Sequence, residues 1–375
     1  MRIGFDGKRV VQNFTGLGNY SRYVLGLLAC VNPENEYWVY CPKKASDNIA
    51  SELEKQLSIA FRYPAKKTIR SLWRSFGMIS DLKKDQIDIF HGLSNEIPFG
   101  ITKHGIPTVV TIHDLIFLRY PEYFPFIDRN IYAFKFRYAC THANKIIAVS
   151  EQTKRDIIHF FNIPAARIEV IYQDCDPVFR QKATEQQKEK VSVKYNLPKK
   201  FLLNVGTIES RKNVLLICQA LKNVDSSVHL VVIGKETAYT SQVKSYLQNV
   251  GLMDRVLFLT GVPLVDLPAI YQKAELFIYP SKFEGFGIPV VEALHSGIPV
   301  IAAKGSCLEE AGGPHSVYID PNSAEQLSDA VNQLLHDSEK STQMIKQGLA
   351  YVERFDAEKI AKQLMAVYED VVKAS

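Results

Sequence analysis

Short, nearly uninterrupted apolar runs alternate with longer stretches of helical spacing from the first residue onward. In the first half the runs are residues 2–6 (RIGFD), 36–41 (EYWVYC), 87–91 (IDIFH), 107–114 (PTVVTIHD), 145–150 (KIIAVS) and 167–172 (RIEVIY). Residues 19–31 and 151–161 carry apolar side chains at helical intervals between them. Apolar runs of this kind are parallel strands covered on both faces by crossover helices. After Tyr172 the pattern lapses into a polar stretch at 181–200, then restarts with 201–206 (FLLNVG), 228–234 (VHLVVIG), 255–260 (RVLFLT), 275–280 (ELFIYP) and 299–303 (PVIAA). The pattern predicts two doubly wound α/β domains, 1–175 and 176–356, without a sequence repeat between them. Residues 357–372, apolar at Ile360, Leu364, Val367 and Val371, form an amphipathic helix that could close either domain, a return onto the first being one option.

Composition narrows the class. The chain has 375 residues, 46% of them hydrophobic and 23% charged, which excludes a disordered or a small stapled protein. Six scattered cysteines lack metal or redox spacing and read as reduced thiols. No signal peptide and no membrane-spanning run is read, so the expected location is the cytoplasm. The net charge of +5 divides into +6 for residues 1–175 (23 Lys+Arg against 17 Asp+Glu) and −1 for the rest (22 against 23). That modest excess suits anionic ligands or an anionic membrane surface, and is too sparse for nucleic acid.

Open α/β sheets bind ligands beyond the carboxyl ends of their strands. The most informative stretch of that kind is 279–297 (YPSKFEGFGIPVVEALHSG), a strand end, a glycine-bearing loop and a helix with Pro289 in its first turn and Gly297 at its stop. The amides of Phe286, Gly287 and Ile288, with the helix dipole, suit a phosphate. Glu284 in the loop and Glu292, placed in the first helical turn, are carboxylates suited to sugar hydroxyls; for Glu292 the plain alternative is an acid favoured there by the dipole. After the strand 201–206, Arg211 and Lys212 begin a helix expected at 214–221, where cations are unfavourable unless an anion intervenes. A solvated basic pair is the alternative.

In the first half, Gly16 and Gly18 lie in a glycine-rich loop (14–20, FTGLGNY) where the backbone can approach a ligand. Tyr20 and Arg22 read as helix-surface residues, and Ser150 as an N-cap. His113 and Asp114 directly follow a buried strand, the position expected of active-site groups. His91 is a second candidate, on the acceptor side. Residues 61–76, with five basic side chains among aromatics, and 126–137 suit a peripheral membrane contact or an ordinary half-buried helix.

The segment from Glu284 to Glu292 resembles the E-x7-E signature of retaining family 4 glycosyltransferases of the GT-B fold, and residues 206–213 (GTIESRKN) resemble that family's Arg/Lys phosphate motif. The likeness extends to 174–177 (DCDP) and 258–268. It implies two Rossmann-like domains facing a central cleft, a nucleotide-sugar donor, and a saccharide or lipid-linked saccharide acceptor. Arg211 and Lys212 would hold the diphosphate, Glu292 the ribose, and Glu284 with the amides of Phe286, Gly287 and Ile288 the transferred sugar and phosphate. The base would lie near Val262, and Gly16 and Gly18 on the acceptor side. His113 would contact the donor sugar, and Asp114 would polarise the acceptor hydroxyl. Thr207 departs from the arginine that many relatives carry after the strand glycine, which leaves more to Arg211 and Lys212. The family's favoured route is front-side displacement with the departing phosphate taking the acceptor proton. No cofactor and no metal are expected, the cations and the dipole filling a metal's role.

The pairing of His113-Asp114 with residues 209–213 looks most like the bacterial mannosyltransferase branch, implying GDP-mannose and a role in surface polysaccharide or glycoconjugate synthesis. UDP-glucose or another nucleotide-sugar, a sugar-nucleotide epimerase, and a non-catalytic nucleotide-sugar-binding protein are the alternatives. A lipid-linked acceptor would place the protein at the inner face of the plasma membrane.

Overall fold

The computed structural model describes residues 1–13, 16–44, 59–65 and 69–375. They form two compact units, Met1–Gln173 with Phe355–Ser375, and Asp174–Arg354. In the first unit β1 (Arg2–Asp6), β2 (Glu36–Tyr40), β3 (Ile59–Arg62), β4 (Ile89–Gly92), β5 (Thr108–Ile112), β6 (Lys145–Ala148) and β7 (Ile168–Val170) make one parallel sheet in the order β3-β2-β1-β4-β5-β6-β7. Successive side chains alternate between its faces. Val109 and Ile147 join one core, with the helix Gly16–Val31 and the C-terminal helix Ala357–Lys373, while Val110 and Ile146 join another under the helices Phe126–His142 and Glu151–Phe161. Burial on both faces is why these strands read as continuous apolar runs.

The second unit repeats the scheme with β8 (Phe201–Val205), β9 (His229–Ile233), β10 (Val256–Leu259), β11 (Leu276–Tyr279), β12 (Val300–Ala303) and β13 (Val317–Ile319), ordered β10-β9-β8-β11-β12-β13 and all parallel. The strand order reverses between β1 and β4 in the first unit and between β8 and β11 in the second. These are the switch points at which loops diverge and ligands find room.

The two expected parallel sheets are therefore present, each one strand wider than the apolar runs suggested. β3 overlaps the start of the basic-aromatic stretch 61–76, which is not a single helix: β3 pairs with β2 through Val39↔Phe61 and Tyr40↔Arg62, and helix begins only at Arg70. Lys66 and Lys67 of that stretch lie outside the described residues. All six cysteines are free, and Cys30 alone of them is exposed.

Candidate active site

β11 ends at Tyr279, and the chain turns through a loop into the helix Ile288–His295. The turn is closed by Gly287 at φ +114°, where a side chain is disfavoured. A Cβ there would also lie 2.7 Å from Leu308 Cδ2, so the position is restricted by conformation and by space. Pro289 occupies the first helical turn, and Gly297, at φ +71°, follows the helix end.

The loop after β8 is fastened to this one. Lys282 N–H donates to the Arg211 carbonyl (2.9 Å), and Asn213, left-handed at φ +61°, donates through Nδ2 to the carbonyls of Pro280 (3.3 Å) and Pro321 (2.7 Å). Arg211 Nη1 thus reaches Glu284 Oε2 at 2.8 Å and the Phe283 carbonyl at 2.5 Å, while its Nη2 bonds Glu209 Oε1 at 2.5 Å. Lys212 Nζ donates to Tyr279 Oη (2.6 Å) and lies 3.4 Å from Glu284 Oε1, and Tyr279 in turn donates to that oxygen at 2.9 Å. Ser281 Oγ donates to it as well, at 2.8 Å. Gly206 has no side chain to obstruct Lys212, whose Nζ would sit 3.1 Å from a Cβ built there.

These contacts set the charge. Burial alone would raise the Glu284 carboxyl, but Lys212 and Arg211, with the bonds from Arg211 and Ser281, more than offset it and hold the group at about 2. Glu284 is thus the anion that steadies two cations near a helix start. Glu292 behaves oppositely: burial, helped by Asp176 and only partly opposed by Tyr271 and Lys212, pushes it up to about 7. It also stands one turn deeper than expected. The first turn of its helix holds no acid, so the dipole does not explain it; Tyr271 Oη donates to its Oε2 at 2.7 Å. Phe286 is buried beside the loop, and Gly287 and Ile288 start the helix. Val262 lies apart, half-buried after β10, with β9 between that strand and β8.

In the first unit His113 follows β5 and is buried. Its Nε2–H donates to the Leu93 carbonyl (2.9 Å), its backbone N–H to Asn95 Oδ1 (2.8 Å), and the Tyr20 ring stands edge-on at 4.6 Å. Burial, only partly opposed by the Leu93 bond, lowers it to about 4, so the ring is neutral with Nδ1 as its acceptor nitrogen. Asp114 accepts the Ile116 N–H at 3.1 Å, just before a short helical turn, Ile116–Arg119.

Three readings of this unit need correction. Gly18 does not leave room for a ligand: it is buried, and a Cβ would fall 1.8 Å from the Asn13 carbonyl oxygen, so its small size serves backbone packing. Gly16 is exposed at the start of its helix, while Phe14 and Thr15 of the same loop lie outside the described residues. His91 is a core residue, bonded to Tyr368 Oη (2.6 Å) and Thr111 Oγ1 (2.8 Å) and lowered by burial to about 3. Tyr20 is buried against Thr111 rather than lying on the surface, whereas Ser150 caps its helix through the Thr153 N–H (3.0 Å), as read.

Tyr279, Tyr271, Ser281 and Glu209 were not anticipated. The tyrosines carried no distinguishing signal, since an aromatic on a buried strand or helix reads as core. Asp174, Cys175 and His295 bring three ligand-type atoms within 4.8 Å of one another. They suit a metal poorly: Asp174 is paired with Arg180 and His295, and burial keeps the Cys175 thiol protonated.

Residues 21–177 match the model for "Glycosyltransferase Family 4" and residues 185–351 the model for "Glycosyl transferases group 1". The chain is 27% identical to O-antigen chain mannosyltransferase B of Escherichia coli, over 98% of this chain and 100% of the relative. It is 27% identical to the O-antigen chain mannosyltransferase RfbU of Salmonella typhimurium over 68% of each. Among solved structures, Anabaena HepE in complex with UDP and glucose superposes with a TM-score of 0.77 at 19% identity, over 99% of this chain and 100% of that one, a likeness of fold.

Proposed function

The chain belongs to the family 4 glycosyltransferases of the GT-B fold, in their bacterial mannosyltransferase branch, and from that premise we propose that it moves mannose from GDP-mannose to a saccharide or lipid-linked saccharide acceptor with the anomeric configuration retained. The observation that carries this reading is the cluster of Arg211, Lys212 and Glu284 at the β8/β11 switch point, beside the start of the Ile288–His295 helix.

On this reading the donor diphosphate takes over the two cations that Glu284 engages. Glu284, with the amides of Phe286, Gly287 and Ile288, then faces the sugar and phosphate; Glu292 accepts from the ribose, and the base lies near Val262. As the bond between the anomeric carbon and the phosphate oxygen breaks, charge grows on the diphosphate, and preorganised Arg211, Lys212 and the amides stabilise it. Losing one such donor costs about 3 kcal/mol. The acceptor oxygen bonds the same face of the anomeric carbon, and its proton passes to the departing phosphate. His113, neutral and with Nδ1 able to accept, is suited to a sugar hydroxyl rather than to charge transfer, and Asp114 orients the acceptor.

No described helix is long and apolar enough to cross a membrane. A peripheral seat at the inner face of the plasma membrane draws support from Ile69, Leu72, Phe76, Phe126, Ile127 and Phe134, all of them exposed. The donor is tested by thermal shift with GDP, UDP and ADP, since a ligand at ~100 times its dissociation constant stabilises by about 2.7 kcal/mol. GDP is expected to give the largest shift, and GDP-mannose to be consumed with the α configuration kept in the NMR spectrum of the product. Turnover of UDP-glucose with GDP-mannose ignored, or an inverted product, would overturn the reading.

A further inference from the structure

The helices Gly16–Val31 and Ala357–Lys373 share one core of the first unit, and a line of buried polar groups runs through it from one helix to the other. Tyr368 Oη is 2.6 Å from His91 Nδ1, His91 Nε2 is 2.8 Å from Thr111 Oγ1, and Thr111 Oγ1 is 3.0 Å from Tyr20 Oη. Tyr368, His91 and Thr111 are wholly buried, and Tyr20 nearly so. The line thus ties the last helix, β4, β5 and the first long helix together.

The protons along it are constrained. Burial keeps His91 neutral, at about 3, so one ring nitrogen donates and the other accepts. Tyr368 has His91 as the partner of its hydroxyl among the described residues, and a wholly buried hydroxyl keeps its hydrogen bonded. Tyr368 therefore donates to His91 Nδ1, His91 Nε2–H donates to Thr111, and Thr111 donates to Tyr20. Bonds that all run one way strengthen and orient one another.

Stability gives little reason for this line, because a buried hydrogen bond nets little and apolar groups of the same shape would serve nearly as well. A fully bonded chain supplies a single arrangement instead. Its end shows what is arranged. Thr111 is the last residue but one of β5, and His113 stands two positions further on. Tyr20 spans the pair: its hydroxyl meets Thr111, and its ring stands against that of His113 with centroids 4.6 Å apart and planes at 87°. The Leu93 carbonyl holds His113 at Nε2, and Asn95 holds its backbone N–H. Those bonds fix one corner of the imidazole and leave its tilt to the ring packed against it.

We propose that Tyr20 is a positioning residue for His113, and that the chain from Tyr368 through His91 and Thr111 holds Tyr20 in place so that His113 Nδ1 keeps its aim on the donor sugar. The inference rests on the transferase reading and deepens it, adding residues that touch no substrate and act through one that does. A misplacement of about 1 Å can cost on the order of a hundredfold in rate, so partial loosening is expected to cost about tenfold.

The test is a kinetic cycle on the full chain, read as GDP released from GDP-mannose, together with NMR of the nitrogen-15-labelled histidine rings in the ligand-free protein. Tyr20→Phe and Thr111→Val remove the bond between the two hydroxyls and keep the shape of the core. In each, kcat is expected to fall about tenfold with KM within about twofold. Thr111→Ser, which restores a hydroxyl, recovers most of the loss, and Tyr368→Phe, at the far end, lowers kcat about threefold. In a chain already carrying His113→Ala, Tyr20→Phe and Thr111→Val cost less than about twofold more, because nothing is left to position, whereas packing damage alone would add to the first loss. The His113 ring signals move in Thr111→Val and return in Thr111→Ser, with melting curves establishing that each variant is folded; should Thr111→Val not fold, Tyr20→Phe carries the same comparison. Wild-type kcat in both Tyr20→Phe and Thr111→Val, a loss that persists in full beside His113→Ala, or His113 signals that stay in place would overturn the proposal. Failure of the wild type to release GDP would count against the donor reading alone, and the ring signals, which need no donor, would then decide the proposal.

Discussion

The Glu284 carboxyl loses hydration that a surface acid keeps, and it stays ionised because two cations and two hydroxyls converge on it. Glu292, seven intervening residues further on, has one firm partner, Tyr271, and burial wins. Its sign follows from linkage. A carboxyl raised to about 7 binds a proton in the folded state that the unfolded chain releases near the ordinary 4.5, so its contribution to stability is full below that value and is lost as pH rises through about 7. Glu292→Gln is therefore expected to gain on the wild type between pH 5 and pH 8, by ~2–3 kcal/mol. Ribose hydroxyls require the carboxylate, so wild-type affinity for GDP should weaken about tenfold from pH 8 to pH 6, a dependence that Glu292→Gln lacks. Titration calorimetry at the two pH values checks this, and a flat wild-type profile would count against it. Arg211, Lys212 and Glu284 could be grouped from the sequence because their loops follow strand ends, whereas Glu292 stands a turn deeper in its helix than the first turn where it was expected. His91 and His113 show the limit, since both are histidines at strand ends. One points into a core and meets Tyr368, a partner from the far end of the chain that local pattern cannot reveal.

At the scale of elements, the loop before the Ile288–His295 helix depends on a glycine that is both left-handed and crowded. Gly287→Ala introduces a Cβ 2.7 Å from Leu308 and strains the backbone, and is expected to cost about 1–3 kcal/mol. Because the helix start must shift, GDP affinity should fall at least tenfold in the same variant. Gly16→Ala, with open space around the added Cβ, is the control and should leave both melting temperature and affinity near wild type. An unchanged melting temperature in Gly287→Ala would show that the turn gives way freely. Strands were legible where both faces are buried, as in β5, all five of whose residues are buried. The two that escaped notice are edge strands: β3, with one of its four residues buried, and β13, with one of its three. An edge strand covered on few sides lacks the continuous apolar run that marks a central one.

At the scale of the whole chain, the chain passes from the first unit to the second and returns to the first for its last helix. The units divide at Asp174, within the DCDP segment, and again at Phe355, each two residues before the boundaries 175/176 and 356/357 that the pattern predicts. The apolar face of 357–372 marked a helix without saying whose, because amphipathicity names a buried face and not its partner. Its contacts decide: Ile360, Ala361, Leu364, Met365, Val367, Tyr368 and Val371 are buried in the core that holds Ile3, Phe5 and Val109. Removing residues 356–375 uncovers that face of the first sheet and leaves His91 without Tyr368. At roughly 1.5–3 kcal/mol for each large side chain, the loss is comparable with the entire stability of a domain, about 5–15 kcal/mol. The truncated chain is therefore expected to lose folded structure in its first unit while the second, whose cluster of Arg211, Lys212 and Glu284 is held within Asp174–Arg354, keeps its structure and its affinity for GDP. Limited proteolysis should then spare a fragment close to residues 174–354 that still binds GDP, whereas the wild type resists cleavage throughout both units. Survival of an intact 1–173 fragment would show that the first core closes without its C-terminal helix, and joint loss of both units would show that they fold as one.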